Sequence, residues 1–216
     1  MKLAVFDCDG TLIDGQASIC EAMEIAFGAF DLPAPPRGQI RRAVGLSLPR
    51  AIRELLPDST EEQQHAMAEA YKDAFRTART EGRVSQPLFP GIEDTLRTLH
   101  GKGWTLGVAT GMSDRGLAHC LADNGIADLF VTLQTADRHP SKPHPAMLEE
   151  ALFQAGALPE ETVMIGDTAY DMQMAVSAGC RGIGVDWGYH HPHELIAAGA
   201  EKVVESPAEL LEYLLA

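Results

Sequence analysis

The sequence predicts an α/β protein, a doubly wound parallel sheet carrying an inserted helical domain, and three observations predict it. Short apolar runs of strand length alternate with helical patterns over most of the chain. One stretch, residues 14–86, breaks that rhythm with no convincing strand and an excess of helix formers. The apolar runs also stop abruptly at acidic, hydroxyl or glycine residues, at the strand edge where open α/β sheets bind ligands.

In order, strands are expected at 3–6, 105–109, 129–132, 162–165 and 182–185, with a weaker one at 202–204. Helical patterns fall between most of them, at 93–100, 114–124, 145–155, 170–178 and 192–198. A last helix follows Ser206-Pro207-Ala208-Glu209, which has capping-box spacing and Pro at the first helical position. Within the inserted stretch, Ser59-Thr60-Glu61-Glu62 offers another capping box, opening a long polar helix that runs towards Arg83. The stretch is entered through Asp14-Gly15 and left through Pro87-Leu88-Phe89-Pro90-Gly91, which reads as a hinge. The expected division is a sheet domain from residues 1–13 and 87–216 and a helical domain from 14–86.

Composition narrows the function. With 216 residues, one domain or one domain with an insertion is expected. A mean hydropathy of -0.08 is that of a water-soluble globular chain, and no apolar window approaches bilayer length. Asp7 arrives too early for a signal peptide, so a cytoplasmic location is expected. The net charge of -14 would repel a phosphate backbone, which argues against nucleic acid. Cys8, Cys20, Cys120 and Cys180 lack metal-binding or disulfide spacing and read as reduced thiols.

Four motifs carry chemistry. In Asp7-Cys8-Asp9-Gly10-Thr11 two carboxylates leave a strand end on one face. A turn explains Asp9-Gly10 but not Asp7, whereas a hard cation between carboxylates and a phosphate explains both. Thr110-Gly111 ends the next strand with a hydroxyl and an open N–H, suited to phosphate oxygens, although Gly111 also fits a plain turn. Lys142 lies between prolines in Ser141-Lys142-Pro143-His144-Pro145, as a point charge for phosphate or as an ordinary loop lysine. In Gly166-Asp167-Thr168-Ala169-Tyr170-Asp171, Thr168 and Asp171 have capping spacing, but capping does not require Asp167. Together the four form one electrostatic system for phosphoryl transfer.

These four motifs, in this order, resemble those of the haloacid dehalogenase-like hydrolase superfamily, and the inserted helices resemble its helical cap on a Rossmann-like core. The chain looks closest to the phosphoglycolate phosphatase-like branch, which also holds beta-phosphoglucomutases. The resemblance implies a Mg²⁺-dependent phosphatase acting on a small phosphorylated metabolite, of phosphoglycolate or sugar phosphate type, as a monomer or homodimer. It implies that Asp7 is the nucleophile, that Asp9 is the general acid/base, and that Thr110, Gly111 and Lys142 hold the phosphoryl group. It gives the metal to Asp7, the Asp9 backbone carbonyl and Asp167, with Asp171 in support. The branch usually has Asp-Ser after the first motif; here it is Asp14-Gly15.

Related chemistries are weighed on the same residues. Asp9 and Asp167 argue against a metal-free dehalogenase, and a cap with only Lys72 argues against a Schiff-base phosphonatase. A phosphosugar mutase shares the core chemistry and stays open. A receiver-like phospho-accepting module would be shorter, with adjacent metal acids and no insertion. Arg37, Arg41, Arg42, Arg50 and Arg53 crowd one acid-free stretch of the cap. They read either as steering for an anionic substrate, with Arg50 as a contact, or as helix surface paired elsewhere. His190, His191 and His193 lack partners for a transition-metal site and are expected at the cleft rim.

Overall fold

The computed structural model describes residues 2–216. The chain opens with β1 (Leu3–Phe6), then α1 (Gln16–Gly28), α2 (Arg37–Ala43), α3 (Leu48–Leu55) and α4 (Glu61–Thr80). It continues with α5 (Ile92–Gly101), β2 (Thr105–Thr110), α6 (Asp114–Asp123), β3 (Thr132–Thr135) and α7 (Ala146–Ala155). The last third holds β4 (Thr162–Gly166), α8 (Ala169–Ser177), β5 (Arg181–Val185), α9 (Pro192–Ala197), β6 (Lys202–Val204) and α10 (Pro207–Leu215).

The strands form one parallel sheet in the order β3-β2-β1-β4-β5-β6. β1 is buried throughout because both its faces are covered, which explains why Leu3-Ala4-Val5-Phe6 has no polar alternation. Ala4 and Phe6 join the core with Leu96, Leu106 and Leu210. Leu3 and Val5 point the other way, to Met147, Leu148 and Met174. Phe6 pairs with Val108 on one side and Ile165 on the other, so Asp7, Thr110 and Asp167 emerge from one edge. The chain leaves β1 towards β2 but leaves β4 towards β5, and a crevice opens at that reversal.

Helices α1 to α4 have an apolar core of their own, built on Ile19, Met23, Phe27, Ile40, Ile52 and Met67. The two strands of chain that join them to the sheet run side by side. Asp14 N–H donates to the Pro87 carbonyl at 2.9 Å and Phe89 N–H to that of Leu12 at 3.0 Å. No helix among the described residues is long and apolar enough to cross a membrane.

Three local expectations are corrected. The strand expected at 129–132 lies three residues later, at Thr132–Thr135, because Leu129 closes a short 3-10 turn. That strand is polar yet buried. The Gln134 amide donates to Thr132 Oγ1 at 2.7 Å and to Gln154 Oε1 at 2.9 Å, so its polar groups are satisfied. The α4 box uses Thr60 and Gln63, since Ser59 Oγ is spent on the Leu56 carbonyl at 2.6 Å. That helix ends at Thr80, short of Arg83. At α10, Ser206 Oγ accepts from Glu209 N–H at 3.2 Å, but the Glu209 carboxylate takes Glu205 N–H, leaving half a box.

Candidate active site

The strand edge brings Asp7, Thr110, Lys142, Asp167 and Asp171 together, all buried. Lys142 Nζ lies 2.9 Å from Asp7 Oδ1 and 2.6 Å from Asp171 Oδ1. Burial works against its charge, but Asp171 and Asp7 outweigh it and hold the ammonium well above an ordinary lysine. Asp7 Oδ1 also accepts from Cys8 N–H at 2.7 Å, whereas Oδ2 is buried with no partner. Burial pushes the Asp7 carboxyl up to about 6 against the pull of Lys142.

Asp171 does what capping and function each ask of it. Its Oδ2 accepts from Thr168 N–H at 3.1 Å and Thr168 Oγ1 at 2.7 Å, opening α8, while Oδ1 holds Lys142. Asp167 is fixed from both sides, by Thr11 Oγ1 at 2.9 Å and Tyr189 N–H at 2.9 Å. Gly10 and Gly188 press against it: a Cβ on either would fall 2.3 Å from Asp167 Oδ2 or 2.1 Å from its Cβ. Gly10 also has a φ of +85°, which favours glycine. Burial, and the charge of Asp7, push Asp167 well up.

Asp9 is set apart from this cluster. Its Oδ1 is buried without a partner and rests against Gly15, where a Cβ would lie 2.6 Å away. Gly15 therefore makes room for the Asp9 side chain. Burial and the Asp7 charge raise the Asp9 carboxyl to about 7.

Buried carboxylate oxygens of Asp7, Asp167 and Asp171 lie within 4.8 Å of one another. Lys142 supplies the one buried positive charge against them, and an oxygen of Asp7 is left over. An all-oxygen, anionic donor set with a spare oxygen suits a hard divalent cation. Asp171 is paired with the Lys142 ammonium, whereas Asp167 meets only neutral donors and Asp7 has an oxygen without a partner, so Asp7 and Asp167 are the residues that could hold it.

One segment of the cap closes over this edge. Gly45 sits on Thr168, and a Cβ on Gly111 would fall 2.4 Å from the Leu46 carbonyl oxygen. Ser47 N–H donates to Ser141 Oγ at 2.8 Å, and Arg50 donates to the Lys142 carbonyl at 3.5 Å. His190 is buried; it accepts from Ala169 N–H at Nδ1, and its Nε2 meets the Arg42 carbonyl at 3.1 Å. Beneath lies a cavity of ≈ 540 Å³ that reaches Asp7, Asp9, Thr110 and Gly111.

The cap arginines face elsewhere. Arg37 pairs with Glu24, Arg42 with Glu194, while Arg41 reaches Gln16 and Arg53 reaches Gln64. Arg50 does not line the cavity; the cations that do are Lys72, Arg76, Arg79 and Arg115. These, with Thr11 and Tyr189, are the site residues the sequence reading passed over. Gly188, one residue from Tyr189 after a strand end, was the available signal.

A family model described as haloacid dehalogenase-like hydrolase matches residues 4–185. A phosphoglycolate phosphatase of Vibrio vulnificus is 31% identical over 223 residues, covering 100% of this chain and 96% of that protein. "Probable phosphatase IndB" of Dickeya dadantii is 34% identical, over 97% of this chain and 91% of its own length. The crystal structure of a hydrolase from Pseudomonas syringae superposes with a TM-score of 0.87 at 27% identity, covering 99% of this chain and 98% of that one.

Proposed function

The chain belongs to the haloacid dehalogenase-like hydrolase family, and we propose that it is a Mg²⁺-dependent phosphatase of a small phosphorylated metabolite, working through an aspartyl-phosphate on Asp7. The observation that carries this reading is the Asp7 carboxylate, at a residue that lines the cavity, with one oxygen held by Lys142 and the other buried without a partner among the described residues. The names of its relatives make phosphoglycolate and sugar phosphates the first metabolites to consider.

In this reading the Asp7 carboxylate attacks phosphorus, and the alcohol leaves as its oxygen takes a proton from Asp9. The same Asp9 then removes a proton from the water that cleaves the acyl phosphate. A carboxyl raised to about 7 is suited to giving and taking a proton near neutrality. Thr110 Oγ1 and Gly111 N–H orient phosphoryl oxygens at the end of β2. Lys142 holds Asp7 in line and neutralises charge on the phosphoryl group, and Asp171 fixes Lys142. Asp7, Asp167 and the Asp9 carbonyl would hold Mg²⁺, which when bound supplies positive charge to the phosphoryl oxygens. Residues 14–86 act as the cap and residues 1–13 and 87–216 as the core, joined through the paired linkers at Asp14 and Pro87. Four free cysteines fit a reducing compartment such as the cytoplasm.

Hydrolysis of p-nitrophenyl phosphate with and without Mg²⁺ tests the reading. We expect turnover that needs the cation and is abolished by Asp7→Asn. Metal-independent turnover, or full activity in Asp7→Asn, would refute it.

A further inference from the structure

The cap segment from Arg42 to Arg50 closes the strand edge on the side of Thr168, Ser141 and Lys142. A leaving group cannot lie there. The open space runs the other way, from Asp7 and Thr110 into the gap between α4 of the cap and α6 of the core. Its volume of ≈ 540 Å³ equals the liquid share of roughly eighteen waters. A phosphate bearing two carbons would leave most of that space to water.

Beyond the phosphate end the walls are apolar, with Met23, Leu46, Leu48, Phe75 and Met112 among them. Water against such walls is readily displaced by an apolar body, whereas sugar hydroxyls would lose hydrogen bonds. At the α4 and α6 side the lining turns cationic. Arg76 is paired with Asp73 and Arg79 with Asp123, so their charges are already answered. Arg115, in the first turn of α6 and four residues after Gly111, is exposed at the cavity mouth and makes no side-chain hydrogen bond or ion pair among the described residues. Asp137, the remaining carboxylate on the wall, accepts Asp114 N–H at 2.8 Å. An unanswered guanidinium in a chain of net charge -14 is fitted to an anion brought by the ligand.

We propose that the leaving alcohol of the substrate is ring-sized and largely apolar, with a second anionic group at its far end that Arg115 binds. This rests on the phosphomonoesterase reading and narrows it: 2-phosphoglycolate fills the phosphate end and leaves the apolar walls and Arg115 unused.

The test compares kcat/KM for 4-carboxyphenyl phosphate, phenyl phosphate and 2-phosphoglycolate, using the full chain with Mg²⁺. The expected order is carboxyphenyl, then phenyl, then glycolate. Each step should be about tenfold or more, the scale of an added apolar contact or a hydrogen bond to a charged group. Arg115→Ala should bring the carboxyphenyl-to-phenyl ratio close to one, and Arg115→Glu should turn the preference towards 4-(aminomethyl)phenyl phosphate. Because each ratio is internal to one protein, a partly folded variant still reports it. Phosphoglycolate as the best substrate, or a carboxyphenyl preference that survives Arg115→Ala, overturns the inference while leaving the phosphatase reading standing. Absence of turnover on all three while p-nitrophenyl phosphate is hydrolysed overturns the inference alone; absence of turnover on that ester as well sinks the phosphatase reading and the inference with it.

Discussion

Lys142 has no exposed surface and sits between two buried carboxylates, 2.9 Å from Asp7 and 2.6 Å from Asp171. Taking it away leaves both buried anions without a cation. Lys142→Met should therefore cost about 3–5 kcal/mol in unfolding free energy, the range for breaking a buried pair from one side. Denaturant melts of the metal-free protein check this; a loss under about 1 kcal/mol would mean that the carboxylates are compensated in some other way. At this scale the four motifs were legible, because strand-end carboxylates, a Thr-Gly pair and a proline-flanked lysine have few purely structural reasons to occur together. The division of labour between the two aspartates came from the family resemblance and not from the residues themselves. Asp7 and Asp9 are the same residue type, and what separates them is Lys142, far along the chain, beside one and Gly15, six residues on, beside the other. Cys8, between them, is a core residue. Its contact with Cys120, Sγ to Sγ 3.8 Å, and its burial push the thiol well up, so it stays protonated and unreactive.

At the level of elements, the loop between α2 and α3 meets the ends of three strands at once: Leu46 lies on Gly111, Ser47 on Ser141, Gly45 on Thr168. Gly111→Ala would place a Cβ 2.4 Å from the Leu46 carbonyl, and backbone on both sides has to give. Overpacking of this kind costs about 1–3 kcal/mol. Displacing the loop by an ångström should lower kcat/KM roughly 10²-fold. Steady-state kinetics alongside thermal melts would show it, and a variant with unaltered kcat/KM would mean that the cap loop does not help to form the site. The elements themselves were mostly legible, since apolar runs and helical periods report burial directly. β3 was misplaced, because its buried side chains are polar: Thr132 and Gln134 are satisfied by Gln154 twenty residues on, and Thr135 by Asp114 of α6. The arginines of residues 37–53 left two readings open for a related reason. Their density suggested a shared anion, but partners such as Glu24 and Glu194 lie on other elements.

For the whole molecule, a sheet with one core on each face and a cap with a third core form two bodies joined by two adjacent segments of chain. The catalytic edge of the sheet was visible from the order of the motifs. The cavity was not, because its walls are drawn from the cap helices, the loop between α2 and α3, and α6 together, and nothing local in any of them marks the residues that face it. Strong net negative charge does not by itself exclude a phosphate ligand, since local groups such as Lys142 at the strand edge and Arg115 at the cavity set the field that it meets. Central to all of this is a covalent step at one residue. Chemical trapping tests it most directly: quench turnover in acid, reduce acyl phosphate with borohydride, and map the modified peptide by mass spectrometry. The account predicts reduction at Asp7 alone, dependent on both substrate and Mg²⁺; modification at Asp9 or Asp171 instead, or none during active turnover, would contradict it.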